Sequence, residues 1–232
     1  NGINYNTYLT DGRIDINNQV GKYAYDSTAK YKKESIKLNA PGNDYYSKRK
    51  EQEITYDVFK RPLSIFEQDR GNVNFEYGIN GGRFYALKQD FTTNSSTKKY
   101  YTQDGTIDIS IDQDGNTKIV NYISSPYETP IMYVTELNSA LTTTKEGFHY
   151  LGRDFQGSIM AIYDDNANVI ERRLFDPWGN IVKVQDKNGV VIEGQNTQLI
   201  FLDRGYTGHE HFVEVGIIHM NGRIYDPVLK QF

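Results

Sequence analysis

Pairs of an aromatic residue and an aspartate recur along the whole chain. They stand at Tyr25-Asp26, Tyr56-Asp57, Tyr163-Asp164, Phe175-Asp176 and Tyr225-Asp226. Several pairs are followed by a few variable residues, an alternating apolar strand, a Gly or Asn turn and the next strand. A unit that recurs every roughly 20–50 residues is typical of a stacked array, in which each unit buries its apolar face on its neighbours. We expect the aspartate to bond backbone N–H groups and tighten each turn, while the ring packs along the next hairpin.

Short segments with apolar residues at every second position predict strands with one apolar face. These segments are Gly12–Ile16, Gly21–Asp26, Glu53–Asp57, Asn72–Tyr77 and Gly105–Ile111. Hairpin signals separate them, because Asp-Gly and Asn-Gly favour the positive φ values of tight turns. The signals are Asp11-Gly12, Arg70-Gly71-Asn72, Asp104-Gly105, Asp114-Gly115-Asn116 and Lys187-Asn188-Gly189. The predicted fold class is therefore all-β, made of antiparallel hairpins with little helix.

Three stretches depart from this strand pattern. Thr135–Thr144 is a possible short helix, with Leu137 and Leu141 four residues apart, although its β-branched threonines disfavour helix. The polar stretch Leu38–Glu51 and the Ser/Thr-rich stretch Phe91–Lys99 are predicted to be surface loops, because the strand pattern resumes after each.

Composition supports a β fold and excludes several classes of function. The 232 residues include 19 Tyr and 20 Gly but one Trp and no Cys, so thiolate metal sites and disulfides are excluded. With a net charge of -4 and no basic block, nucleic acid is not an expected partner. No apolar run reaches the roughly 20 residues of a membrane span. The first residues, Asn1-Gly2-Ile3-Asn4, resemble neither a signal peptide nor an initiator Met, which predicts a start inside a longer precursor.

The last third of the chain resembles a known family, the bacterial RHS/YD-repeat proteins. The segments that carry this resemblance, in the family's order, are His149–Ile159, Asp164–Ile170, Phe175–Gly179, Tyr206–Glu210 and Gly216–Pro227. The Tyr-Asp pairs extend the resemblance over most of the chain. On this basis residues 1–146 are predicted to be a YD-repeat hairpin array, and residues 147–232 the RHS repeat-associated core.

The resemblance implies a β-ribbon that spirals into a hollow shell. In polymorphic toxins of this family the core marks the end of the shell, and a hypervariable toxin follows and is held inside. It therefore implies a secreted or bacterial cell-surface structural protein without catalysis or cofactor. The implied partners are the rest of its own precursor, an enclosed C-terminal polypeptide and other chains of an export or delivery complex.

Some members of the family cut themselves downstream of the core, using aspartates near that junction. Asp226, with Arg223 nearby, lies in the matching segment and is the candidate for such a site. The family pattern continues with Leu-Gly-Arg-Phe, whereas this chain has Leu229-Lys230-Gln231-Phe232. An autoproteolytic role thus remains one alternative, and an adhesive or carbohydrate-binding module, whose tyrosines would stack on sugars, is another.

Two sets of residues have the types needed for metal binding. His209, His211 and His219 form the ligand-like cluster, and His209 and His211 would share one side of a strand. Position 213 is Val, so no HExxH motif is present, and structural histidines are the favoured interpretation. Asp112–Asn116 and Asp164–Asn168 have alternating oxygen ligands but lack the terminal bidentate Glu of a calcium loop, so hairpin turns are favoured there.

Overall fold

The fold was described from a computed structural model, which covers residues 5–28, 30, 33–47, 49–193 and 197–232. The strands are β1 Asn6–Tyr8, β2 Ile14–Asn17, β3 Gly21–Tyr25, β4 Lys33–Leu38, β5 Gln52–Tyr56, β6 Pro62–Glu67, β7 Gly71–Tyr77, β8 Arg83–Asp90, β9 Ser95–Tyr101, β10 Ile107–Asp112, β11 Thr117–Tyr122, β12 Ile131–Leu137, β13 Thr143–Arg153, β14 Ile159–Asp164, β15 Val169–Phe175, β16 Ile181–Asp186, β17 Val191–Glu193, β18 Glu210–Phe212, β19 Ile217–Met220 and β20 Arg223–Tyr225. The described helical elements are α1 Ala40–Tyr46 and the 3-10 turn η1 Tyr206–Gly208. The prediction of an all-β antiparallel fold is confirmed.

The chain divides into two compact units. The first contains the residues up to Glu51 together with Val228–Gln231, and the second contains Gln52–Pro227 together with Phe232. The predicted boundary between the YD-repeat array and the RHS repeat-associated core, at residues 146 and 147, falls inside strand β13. This division stays a prediction.

In the first unit, strands β1 to β4 form an antiparallel sheet in chain order. The buried Asn17 amide donates to the carbonyl of Val228 at 3.2 Å, and its oxygen accepts from the Gln19 N–H. The predicted loop Leu38–Glu51 is wrong in its first half, where α1 forms. Asn39 caps this helix by accepting from the Gly42 N–H at 2.9 Å, and Pro41 in its first turn has the φ value that a helix needs.

In the second unit, strands β5 to β17 form one thirteen-stranded sheet whose spatial order is the chain order. Each strand pairs with the next through a hairpin, as the sequence pattern predicts. The helix considered for Thr135–Thr144 is wrong: Asn138 and Thr142 close a turn between β12 and β13, with Leu141 at φ 58°. The predicted loop Phe91–Lys99 is wrong after Asn94, because β9 begins at Ser95 and pairs with both β8 and β10.

One hairpin turn recurs along this ribbon and explains the aspartates. The aspartate N–H donates to the carbonyl four residues later, and its Oδ1 accepts the N–H groups two and four residues later. The residue three positions on has a positive φ, so the turn favours Gly there, although Lys60 and Ala167 occupy this position in two copies. The turns start at Asp57, Asp112, Asp154, Asp164, Asp176 and Asp186. Asp112–Asn116 and Asp164–Asn168 are therefore hairpin turns. Of the aspartates in the aromatic-Asp pairs, Asp57, Asp164 and Asp176 have the predicted local role.

The hairpin predicted at Arg70-Gly71-Asn72 forms between β6 and β7, but its positive φ lies at Asp69. Gly71 is required for a different reason. A Cβ atom at this position would lie 2.7 Å from the carbonyl oxygen of Gln89, closer than any side chain tolerates.

Candidate functional site

Residues 197–227, here called the C-terminal segment, lie against one face of the thirteen-stranded sheet. Phe212, Val215 and Ile217 of the segment pack with a group of buried residues on β6, β7 and β8. Leu202 and Phe201 pack with a second group on β11 to β15. The segment therefore covers the apolar face that the alternating strands present.

A network of buried charges joins the segment to the sheet between these two apolar groups. At its centre the Nζ atom of Lys99, on β9, donates to Oδ1 of Asp203 at 2.8 Å and to Oε1 of Glu210 at 2.9 Å. The same Nζ atom lies 3.2 Å from Oδ2 of Asp108 on β10. The Lys88 ammonium donates to Oδ2 of Asp203 at 3.0 Å. One ammonium thus connects two strands of the ribbon with two carboxylates of the segment.

Glu210 is the most completely paired carboxylate of the network. Its side chain is 1% exposed and accepts from the Tyr101 hydroxyl at 2.7 Å. The Arg83 guanidinium forms an ion pair with Oε2 of Glu210 and lies over the Tyr101 ring, 4.2 Å from its centroid. Because Arg83, Lys99 and Tyr101 come from β8 and β9, Glu210 fixes the start of β18 over these two strands.

Arg204 supplies the matching contact from the segment to β10 and β11. Its Nε atom lies 3.2 Å from Oδ2 of Asp108, which also accepts from the Tyr122 hydroxyl at 3.3 Å. The side chains of Arg204 and Asp108 are 5% and 2% exposed. Both ends of this contact are therefore out of water.

The pKa shifts favour the charged forms of Lys99, Glu210 and Asp203. Burial opposes the charge on Lys99, but Asp108, Asp203 and Glu210 outweigh burial and hold the pKa of its ammonium well above the usual value. Burial alone would raise the pKa of Glu210, yet Arg83 and Lys99 lower it to about 2. The pKa of Asp203 is likewise held well below its usual value, against burial, by Lys99 and Lys88.

A second buried ion pair clamps the backbone of the segment. On β15, the Arg173 guanidinium binds both oxygens of Glu171, at 2.9 and 3.0 Å, and donates to the carbonyl of Leu202 at 2.6 Å. The Glu171 oxygens accept the N–H groups of Ile200 and Phe201 at 3.1 and 2.7 Å. This pair satisfies backbone groups of an irregular segment that has no strand partner at this point.

These buried ion pairs, here called the lock, hold the C-terminal segment on the sheet. A buried ion pair adds little net stability, but losing one partner leaves an uncompensated buried charge. Lys99 pairs with Asp203 and Glu210 of the segment, and Asp108 pairs with Arg204. All of these pairs form at the same time in only one placement of the segment, so the network fixes its position on the sheet.

Over 77% of its length this chain shares its fold with chains of solved complexes. One match is the crystal structure of TcdB2-TccC3, with a TM-score of 0.57 and 12% identity over 77% of this chain. TcdB2-TccC3-Cdc42 matches with a TM-score of 0.56 and 11% identity, and TcdB2-TccC3 without hypervariable C-terminal region with 0.55 and 10%, each over 77% of this chain. This chain spans 8% to 9% of the length of those chains. No protein-family model and no curated protein sequence matches it.

The three histidines considered as metal ligands do not meet at one position in the described part of the chain. His209 lies before β18 with its Nδ1 atom 2.8 Å from the Thr207 hydroxyl, whereas the His211 Nε2 atom accepts the Tyr206 N–H. His219 packs its ring against Phe75, 5.2 Å between centroids. Within the described residues no group of three or more His, Cys, Asp or Glu side chains is placed to hold a metal ion.

Arg223 is the first residue of β20, and Asp226 comes directly after the strand. The Arg223 guanidinium covers the ring of Phe232, 4.1 Å from its centroid, and Asp226 is partly buried. The structure does not test a self-cleaving role, which stays a prediction. No helix in the described part of the chain is long and apolar enough to cross a bilayer.

Sequence reasoning missed the charge network. Lys88, Lys99, Asp108 and Asp203 stand in polar surroundings that look like any solvated strand or turn. One signal was available, because Glu210 ends the Tyr206–Glu210 motif by which the chain resembles the RHS family. A carboxylate retained in such a motif is a candidate for a buried partner.

Proposed function

We propose that this chain is a structural β-shell segment of a secreted bacterial RHS-type toxin or surface protein, and that it encloses or presents a polypeptide C-terminal to it. One observation carries the proposal: thirteen strands follow each other in chain order as a single ribbon, and a C-terminal segment is locked on one face. A ribbon of this kind can be extended by further hairpins, as the side of a protein shell requires.

The comparisons support the same role. The fold is shared with TcdB2-TccC3, one form of which is described as lacking a hypervariable C-terminal region. The motifs of residues 147–232 resemble the core that precedes a hypervariable toxin in RHS proteins. In this proposal the chain has no catalytic activity and needs no cofactor. Its partners are the rest of its precursor, the enclosed polypeptide and chains of a delivery complex.

Protease protection in the intact precursor tests the proposal. The precursor is digested with a nonspecific protease, and fragments of the polypeptide downstream of Phe232 are followed by mass spectrometry. We expect the downstream polypeptide to resist cleavage until denaturant unfolds the ribbon. The same polypeptide produced alone serves as the control. Equal cleavage rates in both forms would contradict enclosure.

An adhesive role is the second candidate, and aromatic pairs on the opposite face of the sheet favour it. Tyr85 and Tyr100 stack at 5.1 Å between centroids, and Tyr133 and Phe148 at 5.0 Å. Tyr100 and Phe148 are 39% and 46% exposed. Glycan-array binding by the wild-type chain, lost in Tyr100→Ala and Phe148→Ala, would support this candidate, and an array without signal would reject it.

Self-cleavage by Asp226 is tested in the same precursor. The wild type and Asp226→Asn are incubated after purification, and their masses are followed. Processing of the wild type alone would support an aspartate-dependent cut, and equal processing of both would reject it.

A further inference from the structure

All four histidines of the chain lie where the C-terminal segment meets the rest of the second unit. Three of them, His209, His211 and His219, belong to the segment, and the fourth, His149, lies on β13. Each ring contacts an aromatic ring across this boundary. The partners and centroid distances are Tyr127 for His209 at 5.3 Å, Phe175 for His211 at 5.5 Å, Phe75 for His219 at 5.2 Å and Phe201 for His149 at 4.8 Å.

The hydrogen bonds of three imidazoles fit the neutral form. The Nε2 atom of His211 accepts a hydrogen bond from the Tyr206 N–H at 3.0 Å. A proton on Nε2 would break this bond, because two N–H groups would then point at each other. The Nδ1 atom of His149 lies 3.2 Å from the carbonyl of Gly147 and can donate to it. Among the described residues no hydrogen-bond partner faces the buried Nε2 atoms of His149 and His219. A second proton would therefore be a buried donor without an acceptor.

The charges around these rings are mixed and do not supply that acceptor. His211 faces Arg173 on β15, with Asp203, His209 and Glu210 on its own segment. His219 faces Arg83 on β8, with Glu210 and His209. His149 faces Lys145, Lys118 and Glu136 on β13, β11 and β12, and His209 faces Arg204. Asp203 and Glu210 are already paired with Lys99, Lys88 and Arg83, and Glu136 lies 3.9 Å from the Lys118 ammonium.

We propose that the contact between the C-terminal segment and the ribbon is an acid-sensitive latch. Protonation of the buried imidazoles between neutral pH and about pH 5 releases the segment, while the hairpin ribbon stays folded. Opening the segment frees the rings from their aromatic partners and gives each proton access to water. The latch is a property of the contact and holds whether or not the ribbon encloses another polypeptide.

The pKa shifts give the sign and the pH window. Burial first, and then Arg173, lower the pKa of His211 to about 3, and burial and Arg83 do the same for His219. The closed form therefore binds fewer protons, so its stability is complete above the free value of 6.5 and falls as the pH falls toward 3. From pH 7.5 to 5 each such imidazole shifts the equilibrium roughly 30-fold toward the open form, and the pair on the order of a thousandfold.

The carboxylates of the ribbon turns and of the charge network stay ionised over the same window, so the protons that open the segment bind to the imidazoles. Glu210 has a pKa of about 2, and that of Asp203 is also lowered, so both stay ionised well below pH 5. The turns of the ribbon depend on aspartates such as Asp112 and Asp164, whose pKa values are lowered as well. Local opening therefore precedes loss of the strands.

Hydrogen exchange on the whole chain between pH 7.5 and 5, corrected for the intrinsic rate, tests the latch. Peptides covering residues 199–220 are expected to lose protection on the order of a thousandfold, whereas peptides of β9 to β12 retain theirs. The double variant His211→Gln and His219→Phe keeps an acceptor for Tyr206 and a ring beside Phe75, and its pH-dependent loss is expected to fall to a few fold. The matched control is His209→Gln, since His209 is only half-buried.

Two results would overturn the proposal: an unchanged acid profile in the double variant, or loss of protection by segment and ribbon at the same pH. If the double variant does not fold, NMR titration of the imidazoles in the unaltered chain decides. His211 and His219 remaining neutral below pH 5 in the closed form would support the latch, and titration of both near pH 6.5 would overturn it.

Discussion

The ammonium of Lys99 lies 2.9 Å from a carboxylate oxygen of Glu210, although 111 positions separate the two residues in the chain. Both side chains are almost completely buried, at 2% and 1% exposure. The contact joins the middle of the ribbon to the segment that follows its last strand. A hairpin array has mostly contacts between residues close in sequence. This pair and its neighbours add contacts between distant residues, and these contacts attach the C-terminal segment to the sheet.

Replacing Lys99 by Met should destabilise the second unit strongly. The variant leaves Asp108, Asp203 and Glu210 buried near one another without their central cation, and the expected loss is about 3–5 kcal/mol in the free energy of unfolding. Urea denaturation followed by circular dichroism measures it. Lys98→Met is the matched control, because Lys98 is exposed on the other face of β9 and should cost less than about 0.5 kcal/mol. Equal midpoints for the two variants would show that the network does not hold the segment.

The recurring turn is tested at Asp112, whose Oδ1 accepts the N–H groups of Asp114 and Asn116 at 2.9 and 2.8 Å. Asp112→Ala removes both acceptors and should lower the free energy of unfolding by about 1 kcal/mol. Asp112→Asn keeps an acceptor and should recover most of the loss. Asp114→Ala, two residues away and exposed, is the control and should be neutral. A neutral Asp112→Ala would mean that the positive φ at Gly115 alone specifies this turn.

The strands and turns of the ribbon were predictable because they rest on local rules. Alternation placed β2, β3, β5, β7 and β10. The Asp-Gly and Asn-Gly signals placed the turns at Gly12, Gly105, Gly115 and Gly189, since positive φ depends on the residue itself. The errors also have local causes. The Asn39 cap with Pro41 was overlooked in a polar stretch, and the Ser/Thr-rich β9 was taken for a loop because its apolar contacts are few.

The lock could not be predicted in the same way. Lys98 and Lys99 are adjacent and chemically identical, and only the register of β9 against β8 and β10 decides which of them is buried. Asp203 and Glu210 reach Lys99 through contacts more than 100 residues apart in the chain. His209, His211 and His219 were identified as a group, but their aromatic partners Tyr127, Phe175 and Phe75 come from three different places in the ribbon and its loops, which no spacing reveals.

A turn glycine under the segment should be more sensitive than one at the edge of the sheet. Gly179 has φ 92°, and a Cβ atom there would lie 2.7 Å from the Tyr206 ring, so Gly179→Ala adds a clash to the backbone strain. Gly189 has φ 81°, and a Cβ atom there would lie no closer than 3.8 Å to any atom outside the adjacent residues. Gly189→Ala therefore measures the backbone strain without a steric clash. We expect Gly189→Ala to cost about 1 kcal/mol and Gly179→Ala at least twice that in thermal or urea unfolding. Equal losses would mean that Tyr206 moves aside freely.

Acid should also weaken the second unit through Glu210, over a pH range that extends below that of the histidines. The pKa of Glu210 is lowered to about 2 from its usual 4.5, so the folded form releases this proton more readily than the unfolded chain. The stabilisation is complete above pH 4.5 and is lost as the pH falls toward 2. Urea unfolding at pH 7, 5, 4 and 3 should show a shallower acid limb for Glu210→Gln than for the wild type, although the variant starts less stable. Glu193→Gln, whose carboxylate is 61% exposed, should retain the wild-type limb. An acid limb of unchanged slope in Glu210→Gln would show that the charge network does not cause the acid sensitivity.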